Sequence, residues 1–322
     1  MHISKVAVPK IVVIGAGHLG SFHLEKLSQL QKQGLVELVG AVDIDSDKRS
    51  RAQKSYAVPI VSSLSDLTGH IDAAIVATPT STHHAVAMQA LERKLHVLIE
   101  KPISSSLAYG RALVAAAQRH GVLLQIGHTE RFNPATAAAL KLLDHPQYIV
   151  AERLGRFTGR STEIDVVLDL MIHDLDMVGV LVPAELSEVR SIGVPVLTRE
   201  IDMAAARLQF ADGCVAQLSA GRASLEAVRK IRVFTAARYV SIDCNKQEVK
   251  SVRRLPPAAD SPWPQIAGEA VDVIPGDALL LQDEDFLRCI REGCAPRVDG
   301  AAGLRALELA QAVKQAMTVP SG

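Results

Sequence analysis

The chain has 322 residues, 48% of them hydrophobic, with 35 basic and 35 acidic side chains and no net charge. That content fills the cores of two ordinary domains and excludes a disordered chain. The balanced charge leaves no electrostatic footprint for nucleic acid or an anionic membrane.

No stretch approaches the roughly 20 apolar residues of a membrane span, and the N-terminus lacks a signal peptide's apolar core and cleavage site. Cys214, Cys244, Cys289 and Cys294 are scattered without CxxC pairing, so neither a zinc site nor a disulfide framework is expected. A cytoplasmic location follows as the expectation. Lys10–Ile14 (KIVVI) is a β-branched run of the kind that forms a buried parallel strand. It leads into Gly15-Ala16-Gly17-His18-Leu19-Gly20 and then a helical pattern, SFHLEKLSQLQKQ. In strand–turn–helix context, G-x-G-x-x-G predicts a dinucleotide site. Gly15 permits the tight turn, Gly17 lets the backbone approach a pyrophosphate, and Gly20 lets helix pack on strand. His18 and Leu19 then open a helix N-terminus whose N–H groups face the phosphates. A second strand, 35–42, ends at Asp43, where an acid accepts from a ribose 2′-hydroxyl and repels a 2′-phosphate. NAD is therefore favoured over NADP, although Lys48, Arg49 and Arg51 lie nearby.

Strands at 71–77, 96–99 and 122–126 alternate with helices at 83–93 and 107–120, the pattern of a doubly wound sheet. Thr78-Pro79-Thr80 follows a strand at its carboxyl end, where open α/β sheets bind ligands, so with His83 and Glu100 it is assigned to the cofactor side. His83 and His84 are adjacent, point in different directions on a helix and make a poor metal pair; no metal is expected. Glu100-Lys101-Pro102 closes the next strand toward the same crevice. A lysine there stabilises a developing oxyanion, while the competing reading of three such residues is a surface strand end.

Residues 127–134 (GHTERFNP) are more polar than a plain linker and are placed along the cleft, before a helix at 135–143 and a strand at 148–157. In the following loop, Arg156 and Arg160 suit bidentate contact with a diphosphate, against the competing reading of solvated loop residues. Residues 165–181 (DVVLDLMIHDLDMVGVL) show helical apolar spacing, with a capping pattern between Thr162 and Asp165. Asp169 and His173, four apart, share one face. They suit general acid–base work, or simply satisfy each other at a helix surface. Asp174 and Asp176 read as structural. Strands follow at 186–197, 202–210, 214–221, 229–235, 239–243 and 247–253, with a hairpin signal at Asp212-Gly213. They predict an open, mostly antiparallel sheet with helices on one face. Residues 255–264 read as a proline-rich loop holding Trp263, and helices close the chain at 277–292 and 299–317.

GAGHLG at 15–20, ATPTSTHH at 77–84, EKP at 100–102 and DLMIHDLD at 169–176 together resemble, in order, the motifs of the Gfo/Idh/MocA family of sugar and cyclitol dehydrogenases. DGAAGLRALELAQAV at 299–313 looks like that family's closing helix, so the resemblance spans nearly the whole chain. Met171 departs from it, since many members carry glycine there. The resemblance implies an α/β protein with an N-terminal Rossmann dinucleotide-binding domain over 1–126, completed by 299–322. An α+β substrate and oligomerisation domain would cover 127–298. It implies that Lys101 contacts the reacting hydroxyl and that His173 takes its proton. Asp169 orients the histidine or binds a neighbouring hydroxyl. ERFNPA at 130–135 looks most like the branch acting on UDP-N-acetylhexosamines, with C3 of UDP-N-acetylglucosamine oxidised to the ketone. Arg131 and Asn133 are then substrate candidates, with a structural salt bridge as the competing role of Arg131. A dehydrogenase of a free sugar or inositol is the alternative substrate class. A catalytically silent NAD-binding regulator is the alternative outside it, against which the intact Lys101, Asp169 and His173 speak. A homodimer or homotetramer, joined through the open sheet face, is implied as well.

Overall fold

The computed structural model describes residues 8–159 and 162–320. The chain forms two compact units, Met1–Thr129 with Asp277–Leu304, and Glu130–Gly276 with Arg305–Gly322.

In the first unit β1 (Lys10–Ile14), β2 (Glu37–Val42), β3 (Ile60–Val61), β4 (Ala73–Val76), β5 (His96–Glu100) and β6 (Leu124–Gly127) form a six-stranded sheet. Its order is β3-β2-β1-β4-β5-β6 and its strand pairs are all parallel. Parallel strands are covered on both faces, which is why they read as unbroken apolar runs; β4 (AAIV) is buried throughout. Strand order reverses between β1 and β4, and the loops after β1, β4 and β5 leave from carboxyl ends around that switch point. Helix α1 (His18–Lys32) buries Leu24, Leu27 and Leu30 against Ile11 and Val13. Helix α2 (Ser46–Ser55) was not anticipated, because SDKRSRAQKS buries only Ala52 and carries no apolar stripe. Its start is made by Asp45, whose carboxylate accepts from the N–H groups of Asp47 and Lys48. Helices α3 (His83–Glu92) and α4 (Leu107–His120) complete the alternation.

In the second unit α5 (Pro134–Leu140), β7 (Tyr148–Leu154) and α6 (Ile172–Leu181) precede β8 (Leu186–Val194), β9 (Met203–Phe210) and β10 (Val215–Gly221). Then come β11 (Val228–Phe234), β12 (Arg238–Asp243), β13 (Glu248–Pro257) and β14 (Pro264–Glu269). With β15 (Met317–Thr318) these strands form a nine-stranded sheet ordered β14-β13-β12-β11-β7-β10-β9-β8-β15. Pairing is antiparallel except between β7 and β10 and between β8 and β15. Strict alternation of buried and half-buried residues in β7 and β9 marks one covered face. Ile149, Ala151, Leu208 and Ile231 pack there with Met171, Leu175 and Val178.

Several details depart from the sequence expectation. Residues 255–264 are not simply a loop: β13 runs to Pro257 and β14 returns from Pro264, leaving Trp263 at the turn, 76% exposed. Pro264 opens the edge strand β14, and Pro256 and Pro257 lie beyond Arg253, where the pairing of β13 with β12 ends. The expected helix at 165–181 contains a π-helical turn, Val167–Met171, before α6 begins. Asp165, not Thr162, caps it, with Oδ1 accepting from Val167 N and Leu168 N at 3.0 Å each.

The expected boundaries at 126 and 299 also differ from the observed division. Helix α7 (Ala278–Glu292) joins the first unit because Phe286 and Leu287 pack with α1. Helix α8 (Gly300–Gln315) starts in the first unit, where a Cβ on Gly303 would lie 2.5 Å from Ile126. Its later residues Ala306, Leu309, Ala310 and Val313 enter the core of the second unit. Among the described residues no helix is long and apolar enough to cross a membrane, and no three His, Cys, Asp or Glu side chains are grouped to hold a metal.

Candidate active site

The glycine turn after β1 separates three physical roles. Gly15 has φ +100°, and a Cβ on it would lie 2.5 Å from Ala77 O. A Cβ on Gly20 would stand 1.7 Å from Gly15 O, so only glycine lets α1 follow the turn so closely. Gly17, by contrast, faces open space: among the described residues a Cβ there meets nothing within 4 Å. It occupies the cap position of α1 with no side-chain hydrogen bond to the helix N-terminus. Open space beside a missing side chain, at the positive end of a helix, fits a dinucleotide's diphosphate. His18 and Leu19 form the first turn of that helix.

Asp43 follows the last residue of β2 and is 9% exposed. Its Oδ2 accepts from Ala16 N at 2.8 Å and its Oδ1 from Asp45 N at 2.9 Å, so the carboxylate ties the glycine turn to the start of α2. Arg49 donates from Nη1 to the carbonyls of Asp43 and Ile44, both at 2.9 Å, placing a guanidinium beside the strand end. After β4, Thr82 Oγ1 donates to Thr78 Oγ1 and to Pro79 O around the turn that contains Thr80. His83 is buried, with Nδ1 2.8 Å from Pro102 O and Nε2 2.9 Å from Thr78 O. The ring thus bridges the loops following β4 and β5, and burial lowers its pKa.

Lys101 is half-buried and its bond to Pro102 is cis. Glu100 turns inward instead, 4% exposed, and meets His23 of α1 and Gln282 of α7. Burial works against its ionisation, but the His23 hydrogen bond and charge outweigh it and hold the carboxyl below its usual range. Sequence reading missed His23 and its second partner, Asp283. They lie 260 residues apart, and each looks ordinary within its own helix.

In the second unit Asp169 and His173 are half-buried while Asp174 and Asp176 are buried. Both buried acids meet arginines. Asp176 takes a two-pronged contact from Arg131, Nε to Oδ2 at 2.8 Å and Nη2 to Oδ1 at 2.6 Å. Asp174 takes one from Arg153, which also reaches Glu130 Oε2 at 2.8 Å. Desolvation opposes the charge of Arg153, but its two carboxylates raise the pKa above the ordinary arginine value. Asn133 caps α5 through Oδ1 to Ala135 N, and its Nδ2 donates to Glu130 and to Cys244 O. The side chains of Arg131 and Asn133 are thereby engaged inside the unit. Arg156 is exposed and donates to Leu225 O at 2.8 Å. Arg160 lies outside the described residues. The π-helical turn carries Asp169 and ends two residues before His173, the kind of helix irregularity that recurs at functional sites.

The model of the Gfo/Idh/MocA oxidoreductase family with an NAD-binding Rossmann fold matches residues 9–128. A UDP-N-acetylglucosamine 3-dehydrogenase of Acidithiobacillus ferrooxidans is 38% identical over 307 residues, covering 95% of this chain and 96% of that protein. A solved structure of the enzyme of that name from the same organism, GnnA, superposes with TM-score 0.88 at 37% identity, over 96% of this chain and 97% of the other. The WlbA dehydrogenase from Bordetella pertussis, solved with NADH and UDP-GlcNAcA, shares the fold at 18% identity and TM-score 0.79, over 96% of each chain.

Proposed function

The chain belongs to the Gfo/Idh/MocA family of oxidoreductases, and from that premise we propose that it oxidises the C3 hydroxyl of UDP-N-acetylglucosamine to the 3-keto sugar, with NAD as acceptor. The observation that carries this reading is 38% identity to the Acidithiobacillus enzyme over 95% of this chain, joined to the presence here of Lys101, Asp169 and His173. Gly15, Gly17, His18, Leu19 and Gly20 would hold the cofactor's diphosphate. Asp43 would take the adenosine ribose, and Thr78, Pro79, Thr80 and Lys101 would form the wall toward the nicotinamide, with the buried His83 and Glu100 supporting it from behind. The bound cofactor supplies the hydride acceptor. Lys101 donates a hydrogen bond to the reacting oxygen and stabilises negative charge as it develops. His173 takes the hydroxyl proton, a task suited to an imidazole near neutral pH. Asp169 holds that ring or a neighbouring sugar hydroxyl. Arg156 and Arg160 stand as diphosphate contacts and Arg131 and Asn133 as groups shaping the sugar pocket. The protein works in the cytoplasm as a homo-oligomer, in this reading.

The test is turnover. Purified protein is incubated with NAD or NADP and, in turn, UDP-N-acetylglucosamine, other UDP-sugars, free glucose and inositols, following the absorbance of reduced nicotinamide. UDP-N-acetylglucosamine with NAD is expected to give the highest kcat/KM. Absence of turnover on any UDP-amino sugar sinks the reading. His173→Ala is expected to lower kcat by about 10²–10⁴-fold, and a variant with unchanged kcat removes the general base from that position.

A further inference from the structure

We propose that His23 is a positioning residue for the reaction: a buried imidazolium, clamped between Asp283 and Glu100, that fixes the strand end from which Lys101 departs. This rests on Lys101 being the group that meets the reacting oxygen. His23 is fully buried on α1, Asp283 is 1% exposed on α7, and Glu100 is 4% exposed at the end of β5. Nδ1 of His23 lies 3.0 and 3.1 Å from the two oxygens of Asp283, and Nε2 lies 3.0 Å from Glu100 Oε1. Ionised carboxylates only accept hydrogen bonds, so a ring flanked by two of them carries a hydrogen on each nitrogen and is a cation.

The rest of the cluster leaves Glu100 no slack. Gln282 Nε2 donates to the same Oε1 at 3.1 Å, and Lys101 N approaches Oε2 at 3.3 Å. Gln282 is itself held, with its Oε1 accepting from Thr129 Oγ1 at 2.8 Å and its carbonyl from Gln125 Nε2 at 3.1 Å. Gly127 closes the remaining side: a Cβ there would lie 2.5 Å from Glu100 Oε1. Successive side chains alternate at a strand, so anchoring Glu100 inward commits Lys101 to the other side. The same helix that opens at the glycine turn carries His23, so one rigid element joins the phosphate-facing turn to the strand end bearing Lys101.

The charges facing the ring are Asp283 from α7 and Glu100 from β5. Lys101 lies beyond Glu100, and Asp277 beyond Asp283. Burial alone would lower the ring's pKa, but the two carboxylates push it up to about 10. A group whose native pKa is raised keeps its contribution at lower pH and loses it as pH rises through that value. In the wild type this lies above the working range, and removal of one carboxylate brings it down.

Histidine-selective isotope labelling and NMR of the full chain, with His23→Gln identifying the signal, are expected to show both His23 nitrogens protonated at about pH 8, well above an ordinary histidine's pKa. A neutral ring there overturns the proposal. In kinetics, His23→Gln is expected to lower kcat by about 10- to 100-fold while NAD affinity stays within about 2-fold. The double variant with Lys101→Met is expected to be no slower than Lys101→Met alone, because both act through one group. Asp283→Asn keeps the shape, serves where His23→Gln does not fold, and is expected to move the alkaline limb of the kcat profile to lower pH. Wild-type kcat in His23→Gln, or an unmoved limb in Asp283→Asn, beside an inactive Lys101→Met overturns the positioning role alone. So does multiplication of the two effects. Wild-type kcat in Lys101→Met removes the role of Lys101 and this proposal with it.

Discussion

Gly15, Gly17 and Gly20 sit in one motif and answer to different forces. Gly20 is demanded by the fold, since its Cβ would overlap a carbonyl at 1.7 Å, whereas no neighbour among the described residues demands Gly17. Gly20→Ala is therefore expected to lower stability by about 3 kcal/mol or more in urea unfolding, a magnitude reserved for forced backbone movement. Gly17→Ala is expected to unfold at the wild-type midpoint yet to bind NAD at least ~10-fold more weakly by calorimetry, because the added methyl takes the diphosphate's place. A stable Gly20→Ala contradicts the packing argument. A Gly17→Ala that binds NAD normally contradicts the cradle. Motif spacing exposed all three glycines in the sequence and gave each its own role; the structure adds the contacts behind the roles of Gly15 and Gly20. The acids of DLMIHDLD divide in the same way: Asp174 and Asp176 meet Arg153 and Arg131, partners that no helical periodicity names.

At the scale of elements, long apolar runs were the legible part and polar ones were not. β1, β4 and β5 declared themselves through short apolar runs, buried throughout in β4 and after the first residue in β1 and β5, while α2 depends on one capping aspartate. The π-helical turn was illegible because the apolar spacing of 165–181 fits a regular helix equally well. Asp202 is another such device. It is fully buried beside β9, with Oδ2 accepting from the N–H groups of Val196, Leu197 and Thr198 and Oδ1 from Arg222 Nε at 2.8 Å. Burial opposes its ionisation, yet these donors hold the carboxyl well below its usual range. A depressed native pKa contributes stability that is complete above the unfolded value of about 4 and is lost as pH falls through the native one. Asp202→Asn is expected to lower stability by about 2 kcal/mol near pH 7, with the difference from wild type narrowing toward about pH 3. Urea midpoints at both pH values check it, and a difference independent of pH contradicts it.

At the scale of the whole molecule, one face of the nine-stranded sheet is open. It carries a depression of about 480 Å³ lined in part by Val150, Ile192, Ala205 and Arg207. On the same sheet Phe234 packs beside Tyr148 and Tyr239, with ring centroids 5.7 and 4.9 Å away, and Ile192 is 44% exposed. If this face joins subunits, Ile192→Glu is expected to shift the mass measured by light scattering to that of the monomer, since a buried unpaired charge is strongly unfavourable. An unchanged mass removes the face from the interface. The sequence by itself determined the fold class and the family, because the glycine turn, the strand ends and the 169–176 motif are local patterns whose spacing survives translation into geometry. Tertiary structure alone decided how α7 and the later turns of α8 divide between the two units, which acids meet arginines, and that a histidine on α1 meets a glutamate on β5 and an aspartate on α7. Those outcomes depend on groups far apart in the chain meeting in a dry interior, where each charge requires a partner that local sequence does not name.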